Sequence, residues 1–122
     1  MIYSLESGLP ALIQEIPHQP DYRIWRSRIS DSDYEAIVNY LDSLIEGTEV
    51  LTSSWIPGSD WTGTPFEPIY YACRSDVNAA AQFYGLILWD LMMRRGDCWS
   101  FGRYEKAGIP IRGLTYFNID CP

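Results

Sequence analysis

Hydrophobic positions recur along this chain with two spacings, and the elements they predict alternate between helix and strand. Tyr34, Ile37, Val38, Leu41, Leu44 and Ile45 step by three and four, the single apolar stripe of an amphipathic helix. Ser30 suits the cap position, Asp31 and Asp33 fall in the positive first turn, and Gly47 supplies a left-handed stop. A helix over about 31–46 follows, with Glu35, Asn39, Asp42, Ser43 and Glu46 on its outer side. The segment Val77 to Arg95 has a different character: Ala79, Ala80, Ala81, Phe83, Tyr84, Leu86, Ile87, Leu88, Trp89, Leu91, Met92 and Met93 make it apolar nearly all round. Such a helix is buried on several sides, and Asn78, Gln82 and Asp90 interrupt it too often for a membrane span. Ser75 with Asp76 opens it and Gly96 closes it, which predicts a central helix over about 76–95. Gly85 in its middle costs about 1 kcal/mol relative to alanine, which predicts close approach of another backbone there.

The remaining segments are shorter. Leu9, Leu12, Ile13 and Ile16 have helical spacing behind Pro10, predicting a short helix over about 8–16 that Pro17 and Pro20 stop. Residues 22–29, rich in Tyr, Ile and Trp with mixed alternation, predict a short or edge strand carrying Arg23, Arg26 and Arg28. Residues 48–55 predict a further strand. Thr64, Pro65 and Glu67 match a capping box, with a short helix over about 65–73. Residues 98–105 and 109–119 predict a hairpin turning at Lys106-Ala107-Gly108, with a bulge at Gly113. If Tyr104 faces Ile109 in that hairpin, Cys98 faces Thr115, so Cys98 and Cys121 are not opposed.

These elements describe one α+β domain spanning 1–122: a small antiparallel-rich sheet packed against the long buried helix and the amphipathic one. Composition adds a surplus of rings, 18 of Trp, Tyr and Phe in 122 residues. The net charge of −7 is uneven, −9 over residues 1–90 and +2 over 91–122, and its overall sign argues against duplex nucleic acid as a partner. Three cysteines, Cys73, Cys98 and Cys121, make no disulfide framework by count or spacing and read as thiols of a reducing cytosol. The first residues carry no basic, long apolar leader, so a cytoplasmic location is expected, with no membrane association.

Candidate chemistry is sparse. One histidine, His18, lies between two prolines and reads as a surface loop residue. No metal-ligand spacing, phosphate-binding glycine motif or nucleophile elbow occurs, so neither a metal nor another cofactor is expected. Asp60, Glu67 and Asp90 lie near aromatic sequence, where a desolvated carboxyl group could serve as a general acid. Turn formation, helix capping and an i,i+4 pair with Arg94 explain the same three residues without catalysis, and no catalytic residue is assigned.

The stretch 55–71 concentrates two Trp, a Phe and two Tyr among Pro and Gly. Loops are normally polar, so these rings close over the core, line a recess or form a contact surface. The recess reading gives a non-enzymatic binding module for a small organic ligand, with Trp55, Asp60, Trp61, Thr64, Phe66, Glu67, Tyr70 and Arg74 as ligand-binding residues. The alternative is a protein-interaction factor, either a homodimer or an acidic inhibitor or immunity-type protein docking a basic partner. A carboxylate-based hydrolase is the third reading.

Overall fold

The computed structural model describes residues 1–53, 61–111 and 113–122. Along the chain run β1 (Ile2–Ser4), β2 (Ala11–Ile13), α1 (Gln19–Ser27), α2 (Asp31–Ile45), β3 (Val50–Thr52) and α3 (Glu67–Ala72). There follow α4 (Val77–Arg94), β4 (Trp99–Gly102), β5 (Glu105–Lys106), β6 (Ile109–Pro110) and β7 (Thr115–Asn118). Five strands form one mixed sheet in the order β2-β1-β4-β7-β3, and β5 pairs with β6 as a separate small ribbon. Only β1 and β4 run parallel; every other described pair is antiparallel. This is the expected α+β fold.

The central helix forms as its apolar composition predicts. Nine α4 residues from Ala80 to Met92 are buried, and α1, α2 and α3 all pack on it. Its face toward the sheet is aromatic, with the Trp89 ring 4.9 Å from Phe101 on β4 and 6.4 Å from Tyr116 on β7. The cap is Asp76, whose carboxylate accepts from the Asn78 and Ala79 N–H groups at 2.9 and 3.1 Å. Helix α2 also forms where its stripe places it. Ser30 accepts from the Asp33 N–H at 3.0 Å, and Tyr34, Ile37, Leu41 and Ile45 are buried. Its acidic outer side is partly neutralised by Arg95, just past α4, which donates to Asp42, Glu46 and Asp97.

Four expectations are overturned, each for a physical reason. Residues 19–27 form α1 rather than a strand. Tyr22 and Trp25 lie three apart and both reach Phe83 of α4, at 6.1 and 5.8 Å between ring centroids. Proline and Asp21 in the first turn and Arg26 in the last suit a helix start and end. The segment expected as a helix over 8–16 instead holds β2, which extends the sheet beyond β1 with Ile2 opposite Ile13. A single short helix there would leave the β1 edge unpaired.

The third correction is the hairpin register. Trp99 pairs with Asn118 and Gly102 with Thr115, whereas the outer ribbon pairs Glu105 with Pro110. Two residues lie between the paired segments on the first strand and four on the return, so the return carries two extra residues around Gly113, whose φ is +78°. A left-handed bulge glycine absorbs them. This shift brings the chain end back beside β4, and Cys98 and Cys121 form a disulfide with Cα atoms 5.3 Å apart. The free thiol is Cys73, buried and pushed up to about 11 by desolvation, the state of an inert structural cysteine.

The fourth concerns Gly85. Among the described residues no backbone approaches it: a Cβ built there would meet nothing within 4 Å. The glycine faces open space. None of the described helices is long and apolar enough to cross a membrane.

Candidate functional site

The open space beside Gly85 is a cleft of about 490 Å³ between α1, α4 and the ends of β3, β4 and β7. That volume lies within the range of small-molecule sites. Its floor on α4 is made by the exposed Ala81 and Gln82 and the half-buried Gly85. Ala81 and Gly85, with little or no side chain, keep the surface low there.

The aromatic walls are held by contacts of their own. Trp25 of α1 is braced on Phe83. Trp89 of α4 is 8% exposed, stacked edge-on to Phe101, and its indole N–H donates to the Glu15 carbonyl at 3.1 Å. Two rigid indoles and Leu86 thus give the apolar part of the lining. Tyr116 of β7 joins them from the sheet side and is 1% exposed. Burial pushes its phenol well above the ordinary tyrosine value, so it stays protonated and able to donate.

Polar groups complete the lining. His18, Asp21, Gln82 and Arg103 line the cleft, and their side chains have no hydrogen-bond partner among the described residues. His18 also has φ 52° and ψ 44°, a left-handed conformation that a non-glycine residue adopts at a cost. Its side chain does not cap α1, so local hydrogen bonding of the ring does not account for that conformation. The turn between Pro17 and Pro20 holds it in place.

The aromatic stretch lies elsewhere. Trp55 and Asp60 fall outside the described residues. Trp61 and Phe66 are 5% and 2% exposed and pack edge-on against Tyr84 of α4, at 5.9 and 5.7 Å. Thr64 and Glu67 serve the start of α3: the Thr64 hydroxyl accepts from the Phe66 N–H at 3.2 Å, and the Glu67 carboxylate accepts from the Gly63 N–H at 2.9 Å. Tyr70 is half-buried with its ring 5.9 Å from Tyr71, and Arg74 is exposed with φ 55°. The structure therefore brings Trp61 and Phe66 together as core, puts Thr64 and Glu67 in a cap, and sets Tyr70 and Arg74 apart from both. None of these six lines the Gly85 cleft.

Asp90, the remaining carboxylate of interest, is engaged. It accepts from the Tyr34 hydroxyl at 3.0 Å and from Arg94 at 2.6 Å, while the Tyr34 and Tyr22 hydroxyls are 2.7 Å apart. That chain ties α1, α2 and α4 together.

The mid-helix glycine and the single histidine both stood out in the sequence, but the first read as a site of backbone approach and the second as a surface loop residue. What they lacked was position. Trp25, Trp89, Arg103 and Tyr116 are separated by up to 91 positions and meet only in the folded chain. No family model matches the sequence, and neither a curated protein nor a solved structure matches it.

Proposed function

We propose that the protein is a binding module for a small organic ligand, held in the cleft over Gly85. One observation carries this reading: a buried helix interrupted by glycine at the point where it floors a cavity walled by two braced tryptophans. The glycine weakens the helix and fills no packing need. Its effect is to keep room above the helix. The polar residues of the lining are few beside the apolar ones, as in sites where a few polar groups orient a bound molecule.

A fragment library screened by ligand-observed NMR against the wild type and against Gly85→Leu tests this. Hits that bind the wild type and lose most of their affinity for Gly85→Leu are expected. Hits that bind both proteins equally would place binding elsewhere and overturn the reading.

The disulfide bears on where such a module works. Disulfides persist in oxidising compartments and are rare in a reducing cytosol. The Cys98–Cys121 pair therefore favours an oxidising location over the cytoplasmic one expected from the cysteine count.

A further inference from the structure

We propose that the protein pairs with a second copy of itself through the face of the five-stranded sheet turned away from the helices. This is independent of the cleft, whose sheet residue Tyr116 points to the helix side.

The strand registers assign each side chain to a face. Phe101 and Tyr116 are paired and both meet Trp89 of α4, so they point toward the helices. Their neighbours Ser100 and Phe117 are also paired and point the other way. Carried across the sheet, that outward row is Leu12, Tyr3, Ser100, Phe117 and Val50, one residue from each strand. Leu12 and Val50 are 45% and 52% exposed. Tyr104, its ring 6.3 Å from that of Phe117, is 48% exposed. Among the described residues, none of Leu12, Tyr3, Phe117, Val50 and Tyr104 belongs to the hydrophobic core or packs against it. An antiparallel sheet with one face in water ordinarily turns polar residues outward. Here the outward strand positions also include Thr52, Gly102 and Thr115, and none of them is charged.

Three features fit this face to a copy of itself. Its hydroxyls are already satisfied within the sheet: those of Thr52 and Thr115 lie 2.9 Å apart, and Ser100 donates to the Tyr3 carbonyl at 2.8 Å. Covering these three strands none of them. The exposed apolar side chains amount to on the order of 400 Å², the size of a functional patch and roughly the apolar share of one side of a standard interface. Charge then selects the partner. A two-fold pairing sets a surface against itself, and two chains of net charge −7 do so at least cost through strand positions that carry no charge. A strongly charged partner would find no complement on them. Glu6 and Arg103 line a hollow at the border of the row with Ser100 and Phe117, and being opposite in sign they can pair between two copies.

Light scattering and sedimentation equilibrium on the full chain, at about 1 to 100 μM, test the pairing. The wild type should give a particle of twice 14.0 kDa that dissociates on dilution. Raising the salt from about 0.05 to 0.5 M should tighten it, because screening weakens the repulsion between two acidic bodies. Leu12→Glu and Val50→Glu, both at exposed positions outside the core, should each weaken the dimer about tenfold or more. The double variant should be a monomer with the circular dichroism of the wild type; if it does not fold, the two single variants decide. Val77→Glu adds the same charge at an equally exposed residue at the start of α4 and should leave the dimer unchanged. Gly85→Leu should also dimerise as the wild type does, so the cleft and the sheet face are read separately. A wild type that stays monomeric would overturn the proposal, including one that binds neutral lipid vesicles instead. So would a dimer that salt weakens, one that survives in the folded double variant, or one that Val77→Glu or Gly85→Leu disrupts.

Discussion

At Gly85 an alanine would make the better helix. Its Cβ would meet no atom within 4 Å, so the substitution gains helix propensity without a clash. Gly85→Ala should stabilise the protein by about 1 kcal/mol, a rise of about 4 °C in melting temperature for a chain of this size. It should also weaken whatever binds the cleft, because the added methyl stands on its floor. Thermal melts of the two proteins check the first half and titration of a cleft ligand the second. A stabilising change that costs binding is the signature of a residue kept for function. His18 allows a parallel measurement. Its φ of 52° suits glycine, so His18→Gly should leave the melting temperature unchanged or higher. A clear fall would mean that the imidazole makes a stabilising contact. At this scale the sequence was informative about residues that act locally. The Ser30 cap needs only the backbone three residues ahead, and it forms as the sequence predicted. The cleft gave no such signal, because an open surface is defined by everything around it.

Among the elements, the two long helices were legible because each carries its own evidence over four or more turns. The short ones were not. Residues 22–29 have both a strand's composition and a helix's spacing, and the decision falls to Phe83, 58 positions beyond Trp25, which offers Tyr22 and Trp25 one shared surface. The β4–β7 pairing shows the same dependence. Its register turns on two extra residues near Gly113, and the disulfide follows from the register. Two outcomes are expected. Unfolded without reductant, the protein should expose one thiol to a thiol reagent, Cys73, and three after reduction. Reduction, or Cys98→Ser with Cys121→Ser, should cost about 3 kcal/mol, the worth of closing a loop spanning 23 positions, read from denaturant midpoints. An unchanged midpoint would show that the link constrains nothing.

Across the whole molecule, charge is arranged so that the basic end of the sequence meets the acidic middle. Arg95 has a side chain only 11% exposed and joins the end of α4 to Asp42 and Glu46 of α2 and to Asp97. Its guanidinium holds the Asp97 carboxyl below the usual range. A carboxyl with a lowered folded pKa contributes stability that is fully present above its unfolded value, near 4, and is lost as pH falls through the folded value. The melting temperature should therefore fall as pH drops below about 4, and Asp97→Asn should flatten that fall while lowering stability at neutral pH. Parallel acid limbs in the two proteins would assign the acid sensitivity to other carboxylates.

By itself the sequence determined the fold class, the two long helices and their caps, and the core character of α4. These rest on periodicity and on hydrogen bonds that reach at most a turn along the chain. Only the tertiary structure decided that residues 19–27 are helical, that Cys98 meets Cys121, and that Gly85 opens a cleft instead of admitting a backbone. The physical reason is common to all three. Each depends on which surfaces from distant parts of the chain come into contact, and a cavity above all is a property of the packing around it. The same holds for the rings that stood out in the sequence. Trp61 and Phe66 have the composition of a ligand surface, yet Tyr84 and Tyr40 from two different helices bury them. The residues that line the open cleft were spread among ordinary-looking helix and strand positions.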